Sequence, residues 1–305
     1  MPFQPECVCV GAIIIDDVVL PDGTTHMATP GGGAAHAAAG VAVWNQRPGL
    51  VSAVGTGLPG SVRERLARDF DLQGVVTLDK PQPRAWQLFE WDGRRTELFR
   101  VAEVAPFLTR PAAEHIPASY EAVRGLYLLR GAEPVAAWRA RFPQAALLWE
   151  PLQPFMVAAN AAAFRAALPL VDVVSPNLLE AGLVYGFDDP LRLVQAMLDD
   201  GAPLVALRMG ADGSLVQGRD HAAPLAIPAV TVPDVVDQTG AGNTYCGGFL
   251  VGWMQSRDAL TAGCYGAVAA SFALETTGIT SPPDPAERDA RLARLRARIA
   301  PEHPA

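Results

Sequence analysis

The sequence predicts an α/β protein: a doubly wound, mainly parallel sheet with helices on both faces and a small β lid. Three observations predict it. From about residue 124 short apolar runs alternate with helix-length segments, as parallel strands joined by right-handed crossovers do. "CVCVGAIII" (7–15) is apolar almost throughout, as in a strand covered on both faces. Two segments with Asp-Gly turns, Asp22-Gly23 and Asp92-Gly93, break the alternation and read as hairpins.

Taken in order, 7–15 is a strand and the alanine-rich 34–44 a close-packed helix. "LVSAV" (50–54) is a strand and "GSVRERLARDF" (60–70) an amphipathic helix. The aromatic runs of 84–101 form a hairpin about Asp92-Gly93 and, with 17–29, make the lid. Strands follow at 125–129, 146–149, 171–174 and 204–208. Helices fit between them at 134–142, 157–168, 177–185 and 189–200. A short β run occupies 213–233, and helices run from 241 to 277. In the tail, 286–299, Leu292, Leu295 and Ile299 share one face, which predicts a helix docked on the core. Residues 1–305 are read as one domain, with the lid from about 17–29 and 84–101.

Composition narrows the function. Of the 305 residues, 50% are hydrophobic and 18% charged, which suits a globular chain with a large core. The formal charge of −8 argues against nucleic acid or an anionic membrane surface as the main partner. Lys80 is the single lysine, which excludes a Walker A loop and a protein-kinase lysine. The four cysteines lie in apolar runs, so reduced core thiols are expected rather than disulfides. No signal peptide and no membrane-spanning run is recognised, and a cytoplasmic location is expected.

Chemistry concentrates in a few stretches. In "DQTGAGNTYCGGF" (237–249), Gly240 and Gly242 permit a tight turn into a helix, whose free N–H groups and positive dipole end suit an anion such as phosphate. The side chain next in line, Asn243, is an amide and takes no proton at neutral pH. "PGGGAAHAAAG" (30–40) is a second glycine turn, where Gly32 and Gly33 let backbone approach a ligand; His36 spoils a dinucleotide fingerprint. In "VDVVSPNLLEA" (171–181), Asn177 and Glu180 share the first turn of a helix at the ligand end of the sheet. Hard oxygens there suit Mg²⁺ through water, and a plain helix cap fits equally. Asp16 and Asp17 follow the first strand, where a carboxylate can hold sugar hydroxyls or merely shape a turn. No H-E-x-x-H or G-x-S-x-G pattern is present, so a zinc site and an esterase-type elbow are set aside.

Together these stretches resemble the ribokinase-like, or PfkB, carbohydrate kinase family. "DQTGAGNTYCGGF" resembles its D-T-T-G-A-G-D-x-F signature, "GGGAAHAAAG" its G-G-x-x-x-N-x-A signature, "SPNLLEA" its P-N-x-x-E motif, and "LRMGADGSLV" (207–216) its T-L-G-x-x-G strand pair. The resemblance runs in order from Gly11 to about Gly278. It implies a ribokinase-like fold, a lid over the sugar that often carries a dimer contact, and ATP with Mg²⁺, and K⁺ in some members. By the resemblance, Gly240, Ala241 and Gly242 form the anion hole for the transferred phosphoryl group. Asp16, Gly32, Gly33 and His36 line the acceptor site. Asn177, Arg208, Gly210 and Gly242 face the nucleotide, and Asn177 and Glu180 organise Mg²⁺ through water. Asp237 and Thr239 lie near a monovalent cation.

Three positions depart from the family pattern. Asn243 stands where the catalytic base is an aspartate, His36 where an asparagine contacts the sugar, and Gly57 where an acid is expected. The G-A-G-N ending, with "LLWEPLQPF" (147–155), is similar to the branch typified by the fungal maintenance-of-killer protein. General-base help is worth about 10²–10⁴-fold, and positioning supplies most of phosphoryl-transfer catalysis. The expectation is therefore an ATP-dependent kinase of a small sugar-like or nucleoside-like metabolite, with a catalytically silent nucleotide or sugar sensor as the alternative. An aspartate at position 243 is expected to raise turnover.

Overall fold

The computed structural model describes residues 3–91 and 94–299; the Asp92-Gly93 turn lies outside them. The amino-terminal part comprises β1 (Cys7–Val10), β2 (Ile14–Val19), β3 (Thr25–Gly31), α1 (Gly33–Ala42), β4 (Gly49–Thr56), α2 (Gly60–Asp69), β5 (Asp71–Pro81), β6 (Arg84–Phe89), β7 (Arg95–Phe99) and α3 (Ala105–Thr109). There follow β8 (Gly125–Arg130), α4 (Val135–Arg141), β9 (Ala146–Pro151), α5 (Ala161–Ala167), β10 (Val173–Val174), α6 (Leu178–Tyr185), α7 (Pro190–Asp199) and β11 (Leu204–Arg208). The chain closes with β12 (Ser214–Gly218), β13 (Leu225–Ile227), α8 (Ala241–Ser256), α9 (Ala259–Leu274) and α10 (Pro285–Ile299).

Among the described residues the strands form two sheets. The larger has the order β13-β12-β11-β10-β9-β8-β1-β4-β5. Its strands from β11 to β5 run parallel, and β12 and β13 close one edge antiparallel. Helices cover both faces. Cys9, Tyr127 and Leu148 point toward α1, α8 and α9, and the alternate residues Val10, Leu128 and Trp149 pack among residues of α4 to α7. This alternation is the two-residue strand period expressed as two cores.

The smaller sheet has the order β3-β2-β6-β7. Residues 84–99 therefore stand outside the main sheet, paired with 14–31 as the hairpin reading expects. The single strand expected over 7–15 is corrected: it breaks after Val10. Gly11 still donates to Val51 O, and then the chain crosses so that Ile14 and Ile15 pair with Gly31 and Pro30. An unbroken apolar run conceals a change of sheet, because both sheets bury those residues. The edge strand β5 is an addition to the expected elements, since "DLQGVVTLDKP" mixes polar and apolar residues as a half-exposed edge does. Helix α10 docks as expected, with Leu295 and Ile299 buried and Leu292 packed beside them.

One contact positions the site. A Cβ on Gly40 would lie 2.1 Å from Thr244 O, and one on Gly247 would lie 1.9 Å from Ala37 O. The backbones of α1 and α8 therefore touch without intervening side chains. Alanines along α1 permit the approach, and the start of α8 is fixed beside the start of α1.

Candidate active site

The site assembles at the carboxyl ends of the parallel strands, where open α/β sheets bind ligands. Gly240 caps α8 with φ +72, a left-handed conformation that a side chain resists. Ala241, Gly242 and Asn243 form the first turn, their N–H groups free of side-chain caps. A Cβ on Gly240 would lie 2.1 Å from His36 Cγ, and one on Gly242 would lie 2.1 Å from Arg208 Nη1. The helix start thus touches His36 on one side and Arg208 on the other.

On the Arg208 side lies a cavity of about 330 Å³. Arg208, Gly210, Ala241 and Gly242 stand at its polar part, and Val230, Val235, Ala267 and Leu274 supply apolar wall. Gly210 turns there with φ +63. Arg208 ends β11 and reaches Glu150 Oε1 at 2.8 Å and the carbonyl of Ser175 at 2.9 Å. Burial opposes its charge, but the Glu150 carboxylate overrides it and holds the guanidinium more firmly protonated than usual.

On the His36 side, Asp16 is buried in β2. Its Oδ1 accepts from Gln87 Nε2 at 2.9 Å, and Gln87 also bonds Glu97 at 2.7 Å. Its Oδ2 has no protein partner. Burial raises the Asp16 carboxyl to about 7, against the Gln87 bond that favours the anion. His36 is also buried, with Nδ1 and Nε2 both unpartnered, and burial lowers it to about 4, so it is neutral. Buried polar atoms without partners are rare in folded proteins, and this group calls for a polar ligand or water. Gly32 caps α1 with φ +93, and Gly33 begins the helix. Asp17, also weighed as a hydroxyl ligand, points the other way. It takes 2.5 and 2.6 Å bonds from Arg84, a third from Arg100 and the N–H of Ala28, and so ties β2 to β3, β6 and the segment after β7.

The remaining residues fall around this frame. Asn177 and Glu180 form a reciprocal capping box on α6: Glu180 N donates to Asn177 Oδ1 at 2.8 Å, and Asn177 N to Glu180 Oε2 at 3.0 Å. The capping reading is thus present in the structure. Glu180 nonetheless stands 4.0 Å from Arg208, and burial raises its carboxyl despite that cation. Asp237 is buried and accepts from Thr239 N at 2.7 Å and Gly278 N at 3.4 Å, while Thr239 Oγ1 has no partner. Asn243 donates from Nδ2 to the Tyr127 hydroxyl at 3.2 Å, and that hydroxyl donates to Glu150 Oε2 at 2.7 Å. Sequence reasoning missed Tyr127, Glu150 and Gln87 as site residues. The signal for Glu150 was an acid at the end of the otherwise apolar "LLWE" run.

The profile of the pfkB family carbohydrate kinases matches residues 4–286. The chain belongs to the pfkB family. A cytidine kinase of Thermococcus kodakarensis is 25% identical over 263 residues, covering 83% of this chain and 90% of the relative. Among solved structures, an Escherichia coli protein assigned as a ribokinase II, in complex with ATP and Mg²⁺, superposes with a TM-score of 0.77 at 19% identity, over 95% of this chain and all of the other. The nucleoside kinase of Methanocaldococcus jannaschii superposes with a TM-score of 0.73 at 21% identity, over 96% of this chain and all of the other. These likenesses establish the ribokinase-like fold for this pfkB member. Among its described residues no helix is long and apolar enough to cross a membrane.

Proposed function

We propose that this pfkB member transfers a phosphoryl group from ATP to a hydroxyl of a small sugar or nucleoside. One observation carries the reading: the start of α8 lies between the cavity beside Arg208 and the unpartnered polar atoms of Asp16 and His36. A group crossing from one side to the other passes the first-turn N–H groups of Gly242 and Asn243, beside the Ala241 N–H that donates to Gln238 O at 3.3 Å, where the helix dipole stabilises its charge. Arg208 and Gly210 hold the nucleotide phosphates, and Val230, Val235 and Leu274 cover its base. Asp16, His36, Gly32 and Gly33 orient the acceptor, with Asp16 gripping its hydroxyls.

Among the described residues no three His, Cys, Asp or Glu side chains gather as a metal cluster. Glu180, 4.0 Å from Arg208, and Asn177 suit the outer shell of a Mg²⁺ carried by the nucleotide phosphates and water. Bound in that way, Mg²⁺ supplies charge neutralisation to the phosphates. Thr239 Oγ1 and Asp237 fit a monovalent cation such as K⁺ beside the anion hole. The sheet of β2, β3, β6 and β7 acts as the lid over the acceptor, and its exposed Met27, Trp91, Leu98 and Phe99 suit a homodimer contact. The test is a thermal-shift screen with Mg·ATP and a panel of nucleosides and sugars, followed by ADP release with the hits. Stabilisation by Mg·ATP with acceptor-dependent ADP release is expected. Binding without turnover across the panel would replace this reading with a sensor.

A further inference from the structure

The partners of Asn243 restrict which group can stand there. Glu150 is ion-paired through Oε1 with Arg208 at 2.8 Å, and its Oε2 receives the Tyr127 hydroxyl at 2.7 Å. A carboxylate paired with a guanidinium only accepts hydrogen bonds, so the phenolic proton belongs to the bond with Glu150. The phenol oxygen lies 3.2 Å from the Asn243 side chain and has only acceptor capacity left. Position 243 must therefore donate. An amide does so; an ionised carboxylate does not.

We infer that Tyr127 and Glu150 are positioning residues that require an amide at position 243: they hold Asn243 Nδ2 toward the core and leave Oδ1 for the acceptor hydroxyl. The carboxylate absent from the helix start stands instead at Glu150, across the Tyr127 hydroxyl. The amide requirement follows from the hydrogen bonds alone, whereas the role of Oδ1 rests on the phosphotransfer reading. The aspartate that the family pattern suggests would raise turnover thus enters a site built against it.

The groups facing position 243 set the sign of its titration. Tyr127 comes from β8, Glu150 from β9 and Arg208 from β11, while His36 of α1 lies beside Gly240 and Cys246 stands three residues further along α8, near Glu150 and Arg208. His36 is neutral, the buried Cys246 thiol stays protonated, and the charge of Arg208 is matched by Glu150. In Asn243→Asp the helix start favours an ionised side chain, but the phenol lone pair opposes it within bonding distance and the Glu150 carboxylate opposes it from just beyond.

The experiment exchanges the two groups across Tyr127. In the double variant Glu150→Gln/Asn243→Asp, the amide oxygen introduced at position 150 still accepts from Arg208 and its NH₂ donates to the phenol. The phenolic proton then turns to the carboxylate introduced at position 243. Unfolding is followed from pH 5 to 8 for the parent, both single variants and the double. Asn243→Asp alone is expected to lose stability relative to the parent as pH rises, because its folded form retains a proton that the unfolded chain has released. In the double variant that slope should vanish. Turnover should fall in Asn243→Asp with nucleotide KM unchanged, and recover at least about ten-fold in the double, a coupling of ordinary size for touching residues. If Asn243→Asp does not fold, Tyr127→Phe/Asn243→Asp, which lacks the phenol oxygen and keeps only the more distant Glu150 carboxylate, should fold with a smaller slope.

A parent-like pH slope in Asn243→Asp, turnover at or above the parent, or a double variant no better than the single would overturn the inference. Stability coupling with no turnover by the parent on any sugar or nucleoside would uphold the amide requirement and sink the phosphotransfer reading instead.

Discussion

Substituting Gly240 by alanine separates backbone strain from steric overlap at the helix start. The residue sits at φ +72, where a side chain costs about 1–2 kcal/mol. Its new Cβ would fall 2.1–2.3 Å from three atoms of the His36 ring. His36 is buried under α8, so the ring cannot swing into solvent. Overpacking of this kind costs about 1–3 kcal/mol, and the two effects together come to about 2–5 kcal/mol. At roughly 2 °C per kcal/mol for a chain of this size, the melting temperature should fall by roughly 4–10 °C. The assay is unfolding of the parent, Gly240→Ala, His36→Ala and the double variant. The overlap part should disappear when His36 is alanine, while the backbone part remains, which gives a coupling of about 1–3 kcal/mol. Stabilisation by Mg·ATP should also weaken, because the first-turn N–H groups are displaced. A Gly240→Ala protein that melts within a degree of the parent, or that loses the same stability with and without the His36 ring, would refute the packing account.

Glu180→Gln should keep the capping box, since glutamine serves at that position, and should cost about 1 kcal/mol while weakening the Mg²⁺ dependence of nucleotide binding; titration with Mg²⁺ at fixed ATP reads it. The Asp17 carboxyl, though burial works against it, is held down to about 2 by Arg84, Ala28 N–H and Arg100. Its folded pKa is below the unfolded 3.8, so its contribution is present above that value and lost as pH falls through about 2; Asp17→Asn should remove that acid-sensitive part of the unfolding curve. Asp16 has the opposite sign. Its folded pKa of about 7 exceeds the unfolded 3.8, so stability should decline as pH rises between those values, and Asp16→Asn should flatten the decline. Around that folded value kcat/KM should rise as Asp16 ionises, and a flat profile from about pH 6 to about pH 8 would show that Asp16 does not set acceptor binding.

Much of this protein is legible in its sequence where one physical signal dominates. The parallel strands announce themselves as apolar runs, and β11 runs from Leu204 to Arg208 as read. The turn before α8 is legible because glycines are needed at a left-handed cap and beside a guanidinium. Legibility fails where two causes give one pattern. Ile13, Ile14 and Ile15 are buried whether the chain continues its sheet or leaves it. Asp16 and Asp17 are identical in type and adjacent, yet strand alternation sends one toward Gly31 and the ligand side and the other into the arginines of the small sheet. The chain of contacts Asn243–Tyr127–Glu150–Arg208 joins residues far apart in sequence, and no local spacing records it.

The bare contact between α1 and α8 has a mechanical consequence. Side chains between helices act as springs: they change rotamer and let the helices slide. Here the carbonyls of Ala37 and Thr244 rest where Cβ atoms would otherwise be, so no such spring is present at those points. The two helices head opposite halves of the site, α1 with Gly32 and α8 with Gly240. Their separation is set when the chain folds, by backbone resting on backbone. The small sheet joins this block through the short crossings at 11–13 and 31–32, and joins β5 through 82–83.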